Sequence, residues 1–447
     1  MRMSTHALIP TFLRALAGAV FPAQAMVFVL AILSAPGAQA QDPPPTIVFN
    51  VNTVADLIDD NAGNGICHTT TNTCSLRAAV MEANQSAVAS ARLIINLPSG
   101  TYRLTRVPSG VNGDDSGDLN LTAPGSGQTI TLRGAAAATT IIDANHGDRA
   151  LRIQGGRVAT IAHLTIRNGN ADGDNGGGIL MRFSTATVED SVIEDNQAEL
   201  GGGIVNDSGV LNIVRSTIRS NTAENQGGGI FVFGRTTLRD STLHGNGARQ
   251  GGGIQNTAEE LYVINSTLSG NHAFADGGGL FNSHTAFLYN TSIVDNDANH
   301  QSTMPGSGGG VFNQSASRLV LFNSLIVGNT NHGSFPWDCN GTLELYGRNL
   351  LSVMGGIQNC TIANPFGWAL MGRAALGPLR DNGGPSWTHA LLSGSVAIDA
   401  TTIQGCVGPA DLALVADQRG LPRGLSESCD IGAFEFGAGV IFENGFE

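Results

Sequence analysis

The chain has 447 residues, of which 60 are glycine and only 13% are charged, roughly twice the glycine and half the charge of an ordinary globular protein. Collagen needs glycine at every third position and a coiled coil needs far more Ala, Glu, Lys, Leu and Arg, so both are excluded; 41% hydrophobic residues likewise exclude a charge-rich disordered chain. All 23 basic residues are arginine, which rules out a lysine base or Schiff base, and the net charge of −13 disfavours a nucleic-acid partner.

At the front of the chain, Arg2 and Arg14 flank an approach to an apolar run, Ala25 to Leu33, and Ala38-Gln39-Ala40 supplies a small-x-small cleavage pattern. Residues 1–40 therefore read as a signal peptide cut before Gln41. Its removal leaves 21 arginines against 36 acids, a net charge of −15. No second long apolar stretch follows, so no transmembrane helix is expected in the exported chain. Residues 41–118 read as an N-terminal cap, with Leu76 to Asn84 an amphipathic stretch suited to a helix over the first coil. Arg77 is expected to orient that cap through a carboxylate such as Glu82.

Six cysteines remain after export: Cys67, Cys74, Cys339, Cys360, Cys406 and Cys429. An even count in an oxidising compartment points to disulfides, though six cysteines allow many connectivities. Proximity favours Cys67 with Cys74, Cys339 with Cys360, and Cys406 with Cys429. Zinc fits less well, because no CxxC pair or Cys/His cluster has ligand spacing.

The middle of the chain is a repeat. The segments SVIEDN, STIRSN, STLHGN, STLSGN and TSIVDN end at Asn196, Asn221, Asn246, Asn271 and Asn296, 25 residues apart each time. SLIVGN ends at Asn329 after a step of 33, and LTIRNGN, ending at Asn170, reads as a copy at the front. Between them stand glycine triplets followed by Ile, Leu or Val, starting at Gly176, Gly201, Gly227, Gly251, Gly277 and Gly308. Strands of three to five residues, several to a unit, suit one turn of a parallel β-solenoid whose coils stack at about 4.8 Å. Eight or so coils between Ile141 and Phe335 make a rod on the order of 40 Å long.

Glycine is expected at one corner, for positive φ and close backbone approach, and asparagine at another, where it tolerates the left-handed region and bonds the backbone. Asn196, Asn221, Asn246, Asn271 and Asn296 should then form a hydrogen-bonded ladder, and Ile193, Ile218, Leu243, Leu268 and Ile293 a matching aliphatic stack. Propeller blades are longer than this unit, and leucine-rich repeats need a leucine-dense strand that is missing.

These repeats resemble the GG-[AG]-I and x-x-x-N repeats of polymorphic outer-membrane proteins and related right-handed β-helix proteins of the pectin-lyase-like class. Cys74-Ser75-Leu76-Arg77-Ala78-Ala79, with Asn64-Gly65-Ile66-Cys67 before it and Glu82-Ala83-Asn84 after, is similar to the CSLREA motif of secreted bacterial proteins, with Ala78 where that pattern usually has glutamate. Asp381-Asn382-Gly383-Gly384-Pro385, Thr388-His389-Ala390-Leu391, Asp417-Gln418-Arg419-Gly420 and Cys429-Asp430-Ile431-Gly432 resemble the choice-of-anchor Q domain. The last residues, Ile441 to Glu447, are similar to a short tail on some exported proteobacterial proteins. The resemblance implies an all-β, right-handed parallel β-helix and an extracellular address, and it implies no reaction. The expected organisation is thus a signal peptide at 1–40, a cap at 41–118, the β-helix at 119–335, a choice-of-anchor Q-like domain at 336–436 covering the last coil, and a tail at 437–447.

A polysaccharide lyase or hydrolase would need an Arg base with Asp-held calcium, or clustered carboxylates. Asp190, Glu194, Asp195, Asp240, Asp295 and Asp297 are candidates, and Asp190 and Asp240, two coils apart, share a phase with Arg215 and Arg239. Solvated charges on a coil surface explain the same pattern. Asp114, Asp115 and Asp118, and Asp56 with Asp59, Asp60 and Asn61, admit calcium but lack the spacing of a calcium loop. Ser386, His389 and Asp399 are raw material for a triad, yet no G-x-S-x-G elbow surrounds a serine; His389 reads as structural. His244 and His272 are out of step by three residues. No catalytic, cofactor-binding or metal residue is assigned. The expectation is a secreted or cell-surface protein that binds an extracellular polysaccharide or surface ligand, with a pectin-lyase-like enzyme and a purely structural protein as alternatives.

Overall fold

Each short alternating run in the repeat is one strand, and each break between runs is one corner of a coil. The computed structural model describes residues 43–438 except 109–116, 123–126, 299–306, 332–334, 352–358, 365–367, 402–404 and 425–427. The expected signal peptide with its cleavage point, Asp114, Asp115 and residues 439–447 of the tail lie outside the described residues. One coil shows the plan: strands Ile204–Asp207, Val210–Val214, Thr217–Arg219 and Thr222–Gln226 follow one another with one or a few residues between them. Equivalent strands of successive coils pair in parallel and in register, such as Ile193 with Ile218 and Leu211 with Thr236. The result is four parallel ladders, here sheets I to IV in the order in which that coil enters them.

Alternation decides what is inside. In sheet II the second and fourth residues of each strand point inward, so Leu211 and Ile213, Leu261 and Val263, and Leu319 and Leu321 are fully or almost fully buried. In sheet III the middle residue does so, stacking Ile193, Ile218, Leu243, Leu268 and Ile293 at zero exposure. Full burial of such a side chain stabilises by roughly 1.5–3 kcal/mol.

In a coil of full regularity each corner is turned by a single left-handed residue. In the coil starting at Gly201 these are Gly201, Ser208, Arg215 and Ser220, with φ of 59°, 60°, 47° and 53°. The second glycine of the triplet serves a different need: a Cβ on Gly202 would lie 2.4 Å from the Thr222 carbonyl oxygen. Only a bare backbone allows the coils to approach that closely.

The asparagine ladder is buried and satisfied. Asn221 donates through Nδ2 to Asn246 Oδ1 at 3.0 Å and to the Ile193 carbonyl at 2.9 Å, while its own Oδ1 accepts from the backbone N–H and the Nδ2 of Asn196. Asn246, Asn271 and Asn296 repeat this, and the run continues through Asn329 to Asp338. Two details differ from expectation. The ladder asparagines are not left-handed; the residue before each takes that turn, namely Asp195, Ser220, Gly245, Gly270 and Asp295. The reason is that the amide must point inward from extended backbone to reach the next coil. Asn170 is one residue out of frame, since Gly169 donates to Asn196 Oδ1 and thus holds the ladder position.

The ladders run past the central repeats at both ends. Thr46–Asn50 pairs with Arg92–Leu97 in sheet II, and sheet III extends from Gly100–Arg103 to Trp368–Met371. Helix α1, Leu76–Gln85, is capped by Ser75, whose side chain accepts from the Ala78 N–H. It covers the free edge of Leu119–Leu121, where Asn84 accepts from the Thr122 N–H at 3.0 Å and donates to the Asn120 carbonyl. Arg77 pairs with Asp56 at 2.6 Å, not with Glu82, because Glu82 is occupied by the N–H groups of Gly63, Gly65 and Ile66. Disulfides join Cys67 to Cys74, Cys339 to Cys360 and Cys406 to Cys429. Among the described residues no helix is long and apolar enough to cross a membrane.

Candidate functional site

Parallel stacking turns every outward residue into a column along the rod, so the chemistry of the side is written in columns. At the corner between sheets II and III the left-handed column reads Asp190, Arg215, Asp240, Asn265, Asn290, Asn323. Arg215 grips Asp190 with two bonds, Nε at 2.8 Å and Nη2 at 2.6 Å. The three asparagines instead reach out of the rod and donate to the carbonyls of Ala416, Val407 and Gly405.

Those carbonyls belong to the C-terminal segment. Its first part adds strands Cys339–Tyr346 and Arg348–Leu351 beyond the coil of Leu325–Val327, whereas the part after residue 372, also expected to cover the last coil, lies against the side of sheet III. The outward residues of sheet III explain why. They begin as Val192, Glu194, Thr217 and Arg219, then change to Thr242, Thr267, Ser269, Ser292, Val294, Leu325 and Val327, small hydroxyls and aliphatics that are buried. Val294, Leu325, Val327 and Leu350 pack with Leu391, Ala397, Ile431 and Phe434. Thr267 donates to Gln418 at 2.6 Å, Ser292 accepts from the Ala433 N–H at 3.0 Å, and buried Arg423 bonds Asn265 at 2.9 Å and Glu435 at 3.2 Å.

The seam between this segment and the rod holds at least three cavities, two of them walled by candidate residues. One of about 210 Å³ is lined by Arg215, Arg239, Asp240 and Asn265 on the rod and by residues 413–420 opposite. Burial pushes the Asp240 carboxyl up to about 6, against the opposing pull of its Asn265 hydrogen bond and the charge of Arg239. The other, about 510 Å³, has Asp295, Gly328, Arg373 and His389 in its wall.

The remaining candidates disperse. Glu194 pairs with Arg219 at 2.8 Å, Asp195 sits four coils from Asp295 in one corner column, and Asp297 accepts from Thr330 at 2.7 Å. Ser386, His389 and Asp399 form no triad: Ser386 donates to the Asp240 carbonyl and accepts from Gln418, while His389 bridges Ser269 and the Gly377 carbonyl, both at 2.8 Å. Burial lowers the pKa of His389. His244 stacks on Trp387 and is pushed down to about 4 by burial; it pairs with Ser269 in sheet III, whereas His272 pairs with Gly247 in sheet IV. Asp56 is held by Arg77 and the N–H groups of Thr105 and Arg106, Asp59 by those of Asn61 and His68, Asp60 by His68, and Asp118 by Arg149 and Arg152. Among the described residues no group of three His, Cys, Asp or Glu is placed to share a metal ion.

Two features were missed. A second ladder, Ser191, Ser216, Ser241 and Ser266, runs up the corner between sheets II and III, each hydroxyl accepting from the backbone N–H of the coil before. Its signal was the recurrent Ser opening each repeat segment. A shorter asparagine run, Asn256 to Asn282 to Asn313, links sheet I at 2.7 Å per step; Val232 interrupts its period and hid it.

With this geometry in place, comparison with known proteins adds the handedness. A family model described as a right handed beta helix region matches residues 120–271. The crystal structure of pectate lyase Pel9A matches at a TM-score of 0.46 and 12% identity, covering 88% of this chain and 97% of that one. No curated protein matches the chain. The protein is an all-β, right-handed parallel β-helix with coils of about 25 residues and disulfides in its flanking segments.

Proposed function

We propose that this is an exported protein, released from or displayed on a bacterial cell, that binds an extracellular polymer along its side without cleaving it. The observation that carries the reading is the outward middle column of sheet II: Thr131, Thr160, Thr187, Asn212, Thr237, Tyr262 and Phe287 occupy one position in seven successive coils, all partly exposed. Equivalent groups at a step of about 4.8 Å suit an extended chain whose own units repeat. The lateral carboxylates support binding over cleavage. Asp190, Glu194, Asp207, Glu260 and Glu344 are each held by an arginine of an adjacent coil, and a pinned, ion-paired carboxylate is a poor proton carrier. The three disulfides support export, and the similarity to CSLREA and choice-of-anchor Q segments supports a bacterial surface address.

One observation favours a second reading, a polysaccharide lyase or hydrolase: the Asp240 carboxyl is raised to about 6 beside Arg215 and Arg239 in a partly open cavity, a shift in the direction that a general acid needs. Incubating the purified protein with acidic and neutral polysaccharides, with and without calcium, while following binding and new reducing or unsaturated ends, separates the two. Binding with no new ends is expected. Chain cleavage abolished by Asp240→Asn would replace the first reading with the second.

A further inference from the structure

The corner between sheets I and II carries a residue that folding alone disfavours. Its left-handed residues include Gly156, Phe183, Ser208, Glu259 and Ala316. Phe183 has φ of 47° and is 68% exposed, so a bulky ring occupies a turn better suited to glycine and receives little packing in return. Two coils on, Phe233 stands at the same corner, 47% exposed. The two rings are separated by two ladder steps, roughly 9.6 Å along the rod. Beside Phe183 runs an open groove of about 560 Å³ walled by Ser208, Val210, Arg235, Glu259 and Glu260. Its polar wall is pre-arranged, because Arg235 and the Tyr262 hydroxyl both donate to Glu260 at 2.9 Å.

From this corner we infer that the groove is a binding site for a neutral polysaccharide, with the Phe183 ring stacking on one sugar and Phe233 on another further along. This inference rests on the polymer-binding reading and names the polymer class. Exposed aromatic faces take the apolar side of a sugar ring, while Ser208, Arg235 and Glu260 face its hydroxyls. Two platforms two coils apart suit a chain over a single sugar. The charge selects against uronic acids: one arginine faces two glutamates in the groove, and the whole chain is acidic. An energetically disfavoured backbone conformation held at an exposed, otherwise unexplained side chain is a mark of function.

The test measures affinity of the purified protein for soluble β-glucan, galactomannan and xyloglucan, and for polygalacturonate and alginate as acidic polymers. Phe183→Ser copies the residue that the next coil uses at this turn, so the variant folds, and its melting temperature should not fall. Expected is binding to at least one neutral glycan, weakened at least tenfold by Phe183→Ser and retained by Phe183→Trp. Unchanged affinity in Phe183→Ser would overturn the groove while leaving polymer binding intact. Binding to acidic polymers alone would overturn the neutral class, again leaving the broader reading. Binding to none of the five would overturn both.

Discussion

Sheet III presents two stretches built on one backbone plan with opposite fates. Near Val192 to Arg219 its outward residues are partly exposed and its ion pair, Glu194 with Arg219, is open to water. From Thr242 to Val327 the same positions are buried beneath the C-terminal segment, whose ion pair, Arg423 with Glu435, is sealed at 2% and 3% side-chain exposure. Coil geometry does not distinguish them; outward chemistry does. Charged side chains hold one stretch in solvent, and hydroxyls and aliphatics make the other a docking floor. The lesson for function is that the surface left open for a ligand is sheet II with its corner toward sheet I, because a large part of sheet III and of the corner between sheets II and III is already used.

If that contrast is right, equivalent substitutions should differ in size between the two stretches. Arg423→Met leaves Glu435 buried without its partner and should cost about 3–5 kcal/mol, read as a lower melting temperature and proteolytic cleavage confined to the segment beyond residue 372. Replacing Cys406 and Cys429 by serine frees a loop of 23 residues and should cost about 3 kcal/mol, measured by denaturant unfolding. Asp240→Asn tests the seam through pH. The folded pKa of about 6 lies above the ordinary 3.8, so the folded state binds a proton that the unfolded state releases between those values. Wild-type stability therefore gains as pH falls from about 7 to 4 through this group. The variant should be more stable at pH 8 by on the order of 2 kcal/mol, with the gap closing near pH 4. Smallest of all, Arg219→Ala on the exposed stretch should change stability by under ~1 kcal/mol. A loss at Arg219 as large as that at Arg423 would erase the contrast.

The rod was legible because its constraints recur: a 25-residue step, a glycine triplet, an asparagine and an aliphatic residue three positions before it. Repetition shows that a position matters but not which atom of it acts, so the left-handed turn was credited to Asn221 when Ser220 makes it. Asn170 was misplaced because NGN matches the pattern by identity, while register is set by the pairing of Ile166 with Ile193. The resting place of the C-terminal segment was hidden for a physical reason. It depends on which outward residues of sheet III can be buried, and that is visible only once inward and outward positions are separated. Arg77 likewise found Asp56 rather than Glu82 because the partner is chosen by the folded loop, not by helical spacing. Phe183 gave no warning in the sequence, since an aromatic residue in a β-rich chain is ordinary until its φ and exposure are known.

The most direct test of polymer binding on the open side is hydroxyl-radical footprinting of the free protein and of the protein loaded with the polymer it binds best. Tyr262 and Phe287 report on the outward face of sheet II and Trp387 on the covered side. Protection of Tyr262 and Phe287 with Trp387 unchanged and the polymer at its original length is the expected result. Protection centred on Trp387, or a shortened polymer, would contradict the account.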